Sequence, residues 1–311
     1  MTDRPEARAP AGAAGVPHSR HVGMVAVVGR PNVGKSTLIN ALVGERVSIT
    51  SRKPQTTRDR VLGVRTDDDA QYIFVDTPGF QRRHKSALNA RMNEAVTAAL
   101  ADVDAVVLVI DAAGWTAEDT AVLQLLPRDA SNVVLVLNKT DLLAERDRLL
   151  PLMADSAQRY AFAAIVPVSA EKSRQLDDLL KALRALLPEG LPLFDTDQYT
   201  DRSARFLAAE LVREKAYRLL GDELPYGIAV TIDRWQEDDA RAVIDATLVV
   251  ERDAHKGIVI GKDGAKLREI SRLARADMQQ MLGKSVHLEV WVRVKKGWSD
   301  DPAALRKLGY G

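Results

Sequence analysis

Short apolar runs alternate with helix-compatible stretches along residues 24–187. The runs are rich in Val, Ile and Leu, and the stretches between them carry apolar residues at helical spacing. The runs cover residues 24–28, 72–75, 105–110, 133–137 and 165–168. Buried parallel strands read as continuous apolar runs because helices cover both faces of their sheet. The alternation therefore predicts an α/β domain with a doubly wound, mostly parallel sheet.

The pattern changes after residue 187. The next fifteen or so residues are rich in Pro, Gly and Asp, which is typical of an interdomain linker. Beyond them the pattern predicts a helix, two alternating strands, a short helix, a Gly-flanked turn, a longer helix and a strand, which together form a smaller α+β domain. The predicted division is a flexible tail at 1–20, the α/β domain at 21–187, the linker at 188–202, and the α+β domain with a C-terminal helix at 203–311.

Composition is that of an ordinary globular chain, with 46% hydrophobic and 28% charged residues among 311. This length favours two domains. The absence of cysteine excludes disulfides and thiolate metal sites, and favours a reducing compartment. No apolar run approaches the roughly 18 residues of a spanning helix, and the first twenty residues lack a signal-peptide core. The sequence therefore predicts a cytoplasmic protein.

Charge is distributed unevenly within the second domain, although the whole chain carries only +1. Residues 221–250 hold 2 basic and 7 acidic side chains, whereas residues 251–296 hold 11 basic and 6 acidic ones. A local excess of positive charge suits a polyanion such as a nucleic acid. The later part of this domain is thus the candidate nucleic-acid surface.

A glycine-rich turn follows the first apolar run and precedes a helical pattern. It fits the phosphate-binding pattern G-x-x-x-x-G-K-[ST], in which backbone N–H groups and the N-terminus of a helix surround phosphate oxygens. Lys35 would contact the β- and γ-phosphates, and the Ser36 hydroxyl would bind Mg²⁺. The predicted nucleotide-binding residues of this loop are Gly29, Arg30, Pro31, Asn32, Val33, Gly34, Lys35, Ser36 and Thr37.

Another motif, Asp76-Thr77-Pro78-Gly79, directly follows the second apolar run. The carboxylate of Asp76 would then reach Mg²⁺ through water, and the N–H of Gly79 would contact the γ-phosphate. These four residues therefore occupy the position of switch II.

Two further motifs indicate which nucleotide base is bound. Asn138-Lys139-Thr140-Asp141 ends an apolar run, and a carboxylate at Asp141 accepts both the N1–H and the 2-amino group of guanine, a pair that adenine does not offer. Ser169, Ala170 and Glu171 end the last run, where a backbone N–H would contact the guanine O6. The sequence therefore predicts a GTP site with Asn138, Lys139, Asp141, Ser169, Ala170 and Glu171 around the base.

A second glycine turn, Gly261-Lys262-Asp263-Gly264, lies in the basic part of the second domain. Turns of the G-x-x-G type let backbone N–H groups approach nucleic-acid phosphates in KH domains. Basic side chains surround it at Lys256, Lys266, Arg268, Arg272 and Arg275. The candidate RNA contacts are Lys256, Gly261, Lys262, Asp263, Gly264, Lys266, Arg268 and Arg272. The alternative is a plain helix cap with a solvated basic face.

Aromatic residues are scarce around this turn. Trp291 alternates with apolar residues in the last predicted strand, which predicts a core position rather than a stacking surface. Recognition of RNA should therefore come from a groove.

Several segments together resemble the Era/TrmE-like GTPases that carry a C-terminal KH domain. They are GRPNVGKST, KPQTTR, DTPGF, NKTD, DQYTDRSARF, GDELPY and VIGKDG, and the resemblance extends over residues 21–311. It implies a P-loop Ras-like G domain followed by a type II KH domain. It also implies that Thr57, or its neighbour Thr56, is the switch I threonine, and that Mg²⁺ is held by Ser36, Thr57 and Asp76.

The same resemblance implies a function. The KH domain would bind near the 3′ end of 16S rRNA when GTP is bound, and hydrolysis to GDP would release the protein from a maturing 30S subunit. It further implies peripheral contact with the inner face of the cell membrane. Two other classes stay open: an RNA chaperone that uses GTP as a structural ligand with little turnover, and a membrane-associated signalling GTPase whose basic patch meets anionic lipid.

One departure concerns the attacking water. Many Ras-like proteins have glutamine directly after the switch II glycine, whereas this chain has Phe80, whose phenyl ring cannot hold water. Intrinsic hydrolysis should therefore be slow unless another group or a cation helps. Asn32 resembles the asparagine that coordinates K⁺ in related GTPases, so K⁺ is a candidate cofactor beside Mg²⁺.

Overall fold

The computed structural model describes residues 20–50, 61–80, 87–127, 131–220, 224, 227–299 and 301–308. An α/β domain comes first. Its strands are β1 (Arg20–Val28), β2 (Val61–Thr66), β3 (Ala70–Asp76), β4 (Ala105–Asp111), β5 (Val133–Asn138), β6 (Ala164–Pro167) and β7 (Glu189–Gly190). Its helices are α1 (Lys35–Val43), α2 (Ala87–Ala101), α3 (Ala117–Leu123), α4 (Leu149–Arg159) and α5 (Leu176–Arg184).

The sheet of this domain is doubly wound, with strand order β2-β3-β1-β4-β5-β6 and with β7 added beside β1. Strands β1, β3, β4, β5 and β6 are parallel, whereas β2 and β7 pair antiparallel with β3 and β1. The predicted mostly parallel Ras-like sheet is confirmed. Because β1 pairs with both β3 and β4, the loop after β1 opens where the strand order reverses, which is where such sheets bind ligands.

Both faces of the sheet are buried, which explains the continuous apolar runs. Val25 and Val27 of β1 belong to the core shared with α1 and α5, and Ala26 and Val28 belong to the core on the opposite face, which includes Val122 of α3. Successive strand residues point to opposite faces, so a strand covered on both sides must be apolar throughout.

The second domain is a three-stranded sheet with its longer helices on one face and the short C-terminal helix on the other. Its elements are α6 (Ala204–Leu219), β8 (Ile228–Glu237), β9 (Arg241–Val250), α7 (Asp253–Ile260), α8 (Ala265–Leu282), β10 (Ser285–Val294) and α9 (Pro302–Lys307). The sheet order is β10-β9-β8, with β9 antiparallel to β8 and parallel to β10. This is the predicted type II KH arrangement, and its core lies between the sheet and helices α6, α7 and α8.

The described residues cover the other face of this sheet only in part. Trp298 and Leu305, before and on α9, pack on Ala229 and Val249, so the predicted C-terminal helix docks here. Trp291 is 62% exposed, and its predicted core position is wrong. Its neighbours in β10 face the helices, so alternation turns the indole to the opposite face, beyond the part that α9 covers.

The residues between the domains lie along the first domain. Glu189–Gly190 adds a strand to β1, Thr200 forms a bridge with Gly63, and the Tyr199 carbonyl accepts a hydrogen bond of 2.9 Å from the Val64 N–H. Residues 188–202 are therefore anchored at several points, and the domain boundaries stay predictions.

Among the helices of the described residues, none has both the length and the apolar character needed to cross a lipid bilayer.

Candidate nucleotide site and nucleic-acid interface

The first glycine turn is packed against the ends of neighbouring strands. It runs from Val28 at the end of β1 to Lys35 at the start of α1. A Cβ atom at Gly29 would lie 2.4 Å from the Val109 carbonyl oxygen, and one at Gly34 would lie 2.3 Å from Asn138 Nδ2. Gly34 also has a left-handed φ of 97°. Only glycine fits these two positions, so the loop can close tightly around a ligand.

Lys35 lies inside the turn and is only 7% exposed. Its ammonium donates to the carbonyl oxygens of Gly29, at 3.0 Å, and Arg30, at 3.1 Å. Burial lowers its pKa to about 8, although the Asp76 carboxylate acts in the opposite direction. A buried cation with a lowered pKa is stabilised by an anion, so this position is prepared for phosphate.

The Mg²⁺ donors meet at the end of β3. The Ser36 hydroxyl, in the first turn of α1, donates to Asp76 Oδ2 at 3.0 Å, and Asp76 is fully buried. A hydroxyl and a carboxylate are oxygen donors of the kind that Mg²⁺ prefers, so these two residues fit the ion. The predicted third ligand, Thr57, and its neighbour Thr56 lie outside the described residues.

The predicted switch II residues contact the first glycine turn and its strand. The Thr77 hydroxyl donates to the Val27 carbonyl at 2.7 Å. Gly79, which follows Pro78, lies so close to the loop that a Cβ atom there would be 2.9 Å from Pro31 Cα. Phe80 packs against the core that includes Ala26 and Val28, so its ring is held by apolar neighbours.

Asn138 connects the phosphate loop to the candidate base site. Its Nδ2 donates to the Val33 carbonyl at 2.8 Å, and its Oδ1 accepts from the Ala170 N–H at 3.1 Å. The Asp141 carboxylate accepts from the Ser169 hydroxyl at 2.5 Å. Three segments far apart in sequence thus converge at one edge of the sheet, with Asp141 positioned by Ser169.

Lys139 has a left-handed φ of 68°, and its ammonium contacts Asp111 Oδ2 at 2.9 Å. Burial raises the pKa of Asp111, but hydrogen bonds from Lys139 and the Ala113 N–H outweigh it, and the net pKa lies below the ordinary value. Glu171 is exposed at the rim. The predicted guanine-binding residues are therefore neighbours, and their roles stay predictions.

Two supporting residues were not identified from the sequence. Asp119 is fully buried and pairs with Arg30 Nε of the phosphate loop at 3.1 Å. Asp119 also forms a capping box with Thr116 at the start of α3, and that T-x-x-D spacing is a signal that could have indicated its position. Asp111 carried no such signal. Asn32, the K⁺ candidate, is exposed with a left-handed φ of 64°, and Thr37 lies in α1.

The second glycine turn joins α7 to α8. Gly261, Asp263 and Gly264 all have left-handed φ values, of 72°, 51° and 74°. A Cβ atom at Gly261 would meet the Lys266 side chain at 2.9 Å. Lys262 and Asp263 project at the exposed tip, so this turn faces solvent.

An open groove of about 610 Å³ extends from this turn between α8 and β10. Cations line one side, and Leu267, Leu288 and Val290 supply apolar surface. The cations are Arg268, Arg272 and Arg275. Nε and Nη2 of Arg272 donate to the Glu269 carboxylate at 2.8 and 2.7 Å, and this pairing raises the pKa of Arg272. Such a groove can hold phosphates on its basic wall and bases on its apolar floor.

Not every predicted RNA residue lines that groove. Gly264, Arg268 and Arg272 do, whereas Lys256 lies on α7 and is exposed elsewhere. Gly261, Lys262, Asp263 and Lys266 form the turn and the start of α8 at its entrance.

Comparison with protein families matches each half of the chain separately. Residues 24–139 match the family described as 50S ribosome-binding GTPase, and residues 223–299 match the KH domain. The first match covers the phosphate loop and reaches Lys139, and the second covers the exposed glycine turn and its groove.

Whole-chain relatives are proteins named GTPase Era. That of Bordetella avium (strain 197N) is 55% identical over 288 residues, which cover 93% of this chain and 97% of the relative. That of Nitrosomonas eutropha (strain DSM 101675 / C91 / Nm57) is 50% identical with the same coverage.

Two solved structures of Era proteins are similar to this chain over almost its whole length. A crystal structure of Era in complex with MgGDPNP and nucleotides 1506–1542 of 16S ribosomal RNA is 42% identical, with a TM-score of 0.90, covering 94% of this chain and 99% of that one. A crystal structure of an Aquifex aeolicus Era variant bound to GDP.AlF4⁻ has a TM-score of 0.89 with the same identity and coverage.

Proposed function

Because the chain belongs to the Era family of GTPases, we propose that its KH domain binds the 3′-end region of 16S rRNA under the control of the nucleotide in its G domain. The protein would assist maturation of the 30S subunit and leave it after GTP hydrolysis. A relative of similar fold has been crystallised with MgGDPNP and nucleotides 1506–1542 of 16S rRNA, which supports this target.

The observation that carries the proposal is the groove beside the second glycine turn. Arg268, Arg272 and Arg275 form its basic wall, and Leu288 and Val290 form its apolar floor. A single RNA strand offers phosphates on one side and base faces on the other, whereas a paired duplex hides its bases. The groove therefore fits unpaired RNA.

In the nucleotide site we assign the phosphates to the first glycine turn and to Lys35, and the guanine base to Asp141 and its neighbours. Mg²⁺ would be held by Ser36, Thr57 and Asp76, and it supplies positive charge to the β- and γ-phosphate oxygens when bound. Ser36 and Asp76 are already hydrogen-bonded to each other at 3.0 Å, so their oxygens are positioned together.

Because Phe80 replaces the usual glutamine, GTP hydrolysis needs another group, and we propose that a second cation supplies it. The ring is partly buried against the core and offers no polar atom to the attacking water. We assign K⁺ to the exposed Asn32 of the phosphate loop. GTP turnover should be faster in K⁺ buffer than in Na⁺ buffer of equal ionic strength, and equal rates would remove K⁺ from the assignment.

We place the protein in the cytoplasm, with peripheral contact at the inner face of the cell membrane as a secondary location. Flotation with vesicles containing anionic lipid checks that contact. A competing 16S rRNA oligonucleotide should displace the protein if lipid and RNA use the same basic groove, and failure to float would remove the membrane contact.

The central experiment measures binding of an RNA spanning nucleotides 1506–1542 of 16S rRNA with GDPNP or GDP present. Binding should be tighter with GDPNP, and Arg268→Glu should weaken it while GTP affinity is retained. Arg159→Glu on α4 is the matched control, since it makes the same change of charge in the other domain. A scrambled RNA of equal length that binds as tightly would overturn the sequence preference.

Turnover distinguishes an enzyme from a chaperone that merely holds GTP. Phosphate release should exceed one equivalent per protein molecule and increase when the RNA is added. A single equivalent with no further release would favour the chaperone.

A further inference from the structure

A cluster of charged side chains joins the two domains. Arg46 follows α1 in the G domain. The other members belong to the KH domain: Glu214, Lys215 and Arg218 on α6, and Asp277 on α8. Glu214 is fully buried, which is unusual for a carboxylate unless it is paired.

Arg46 is the bridge between the domains. One of its terminal nitrogens contacts Glu214 and the other contacts Asp277. Lys215 contacts Asp277 as well, and its Nζ lies 3.7 Å from a Glu214 oxygen. A single side chain of the G domain therefore holds carboxylates on two different helices of the KH domain.

Arg218 makes a second connection. Its guanidinium lies 2.6 Å from Glu214, and it also donates to the Thr50 hydroxyl at 3.1 Å and to the Thr50 carbonyl at 3.3 Å. Glu214 thus pairs with Arg46, which belongs to the G-domain segment at residues 45–50, and with Arg218, which contacts Thr50 of that segment.

The Asp277 carboxylate of this cluster stays charged at neutral pH. Burial raises the pKa of Asp277, but the hydrogen bonds and charges of Lys215 and Arg46 outweigh it, so its net pKa lies below the ordinary value. Separating a buried carboxylate from its cations is strongly unfavourable, because the low-dielectric surroundings offer no replacement. The 45–50 segment, α6 and α8 are therefore held together by directional contacts.

The position of the cluster relates it to both sites. Thr50 directly precedes residues 51–60, where the predicted switch I residues Thr56 and Thr57 lie. Asp277 is on the same helix as Arg268, Arg272 and Arg275 of the RNA groove. A displacement of the chain at Thr50 must act on Arg218, and one at Arg46 must act on α8 through Asp277.

We propose that Arg46, Glu214, Arg218 and Asp277 are positioning residues that transmit the nucleotide state from the switch I side of the G domain to the RNA groove of the KH domain. The RNA part of this proposal rests on the function proposed above. Among the described residues, the ion pairs of the cluster include no residue of the phosphate loop and none that lines the groove, so its loss should uncouple the two sites while leaving each able to bind.

Amide hydrogen exchange of α6 and α8 tests the proposal without RNA. In the full-length wild-type chain, exchange in these helices should differ between the GDP and GDPNP states, and Glu214→Gln should remove most of that difference. Arg218→Gln is a second variant at a half-exposed position, and it keeps the test valid if the buried Glu214→Gln chain does not fold. Nucleotide affinity of both variants should stay within about twofold of wild type, as befits residues outside the binding site.

Glu237→Gln is the matched control. It removes the same charge from the KH domain by breaking an exposed pair, Lys284 with Glu237 at 2.8 Å, and it should keep the wild-type response. Exchange that is equal in the two nucleotide states of the wild type, or a difference that survives both cluster variants, overturns the proposal.

Affinity for the 16S rRNA oligonucleotide gives the second readout. The ratio of RNA dissociation constants with GDP and with GDPNP, about tenfold for ordinary coupling between sites, should approach one in the cluster variants. A wild-type chain that binds no RNA in either state contradicts the proposed function, whereas the exchange comparison still decides whether the cluster transmits the nucleotide state.

Discussion

The two glycine turns of this protein perform the same local task in opposite surroundings. Each opens a helix, α1 or α8, with left-handed backbone at glycine. At the first turn the neighbours of a hypothetical Cβ are the Val109 carbonyl and the buried Asn138 amide, which are fixed in the fold. At the second turn the atoms nearest to a hypothetical Cβ belong to the long side chains of Lys266 and Arg268.

The burial of the first glycine turn changes the electrostatics of its lysine. Lys35 lies deep in the first turn, where burial lowers its pKa to about 8, whereas Lys262 lies at the exposed tip of the second. Charges interact more strongly away from water, and exposed charges are screened by salt. The first turn therefore suits one compact ligand of fixed shape, and the second suits a polymer held by many weaker contacts.

Removal of one ammonium from each turn should give the largest contrast. Lys35→Ala should lower kcat/KM for GTP by about a hundredfold or more, since a charge aimed at the developing phosphate charge is lost in a water-poor site. Lys262→Ala should weaken RNA binding only a few-fold, because salt and neighbouring cations compensate. Steady-state hydrolysis and fluorescence titration with RNA measure the two effects.

RNA affinity of Lys35→Ala in the absence of nucleotide serves as its control and should match wild type. A loss of KH folding in that variant, visible as lost RNA binding, would show that the two turns are not independent.

Alanine at one glycine of each turn probes the enclosure directly. Gly34→Ala and Gly264→Ala both place a side chain at left-handed φ, which costs about 1–2 kcal/mol. At Gly34 the new Cβ would also lie 2.3 Å from Asn138 Nδ2, whereas at Gly264 its nearest neighbour is the flexible end of Arg268 at 3.3 Å. Urea unfolding should therefore show the larger loss of unfolding free energy for Gly34→Ala, and equal losses would contradict the contrast.

pH should have the smallest effect, and it should act on one turn only. In the nucleotide-free protein, the folded pKa of Lys35, about 8, is below its ordinary value of 10.5. Between these values the unfolded chain binds the proton that the folded chain has lost, so folding stability from this group rises with pH. GTP binding needs the ammonium, so the affinity for GTP should fall about fivefold between pH 8 and pH 9.

Calorimetry at the two pH values, in buffers of different ionisation enthalpy, would detect proton uptake on GTP binding at the higher pH. RNA affinity should stay constant over this range, because the arginines of the groove remain charged. Proton uptake that is absent at pH 9 would show that Lys35 is not desolvated.

Residues of the nucleotide site differ in how far the sequence could place them. The spacing from Gly29 to Ser36 and the position of Asp76 after an apolar run were sufficient to expect them at one edge of the sheet, where the structure has them. The pairing of Arg30 with Asp119 required the relative position of α3, which no local pattern contains.

In the KH domain the order of elements and the exposed turn followed from the sequence. The sequence did not show whether the face of the sheet that carries Trp291 is buried or exposed. Alternation shows that Trp291 and Val290 face opposite sides of the sheet, but not which side is covered. Coverage depends on α6, α8 and α9, and only their packing shows that the side of Trp291 is left open.

The sequence by itself determined the two folds, their order and the identity of the nucleotide, because apolar periodicity and motif spacing act over short stretches of chain. Only the tertiary structure decided how the domains meet. Arg46 and Asp277 are 231 positions apart, and their contact through a shared cluster with Glu214 depends on the three-dimensional placement of α6 and α8 against the G domain. Buried charge pairs of this kind arise from long-range geometry, for which a single sequence carries no periodic signal.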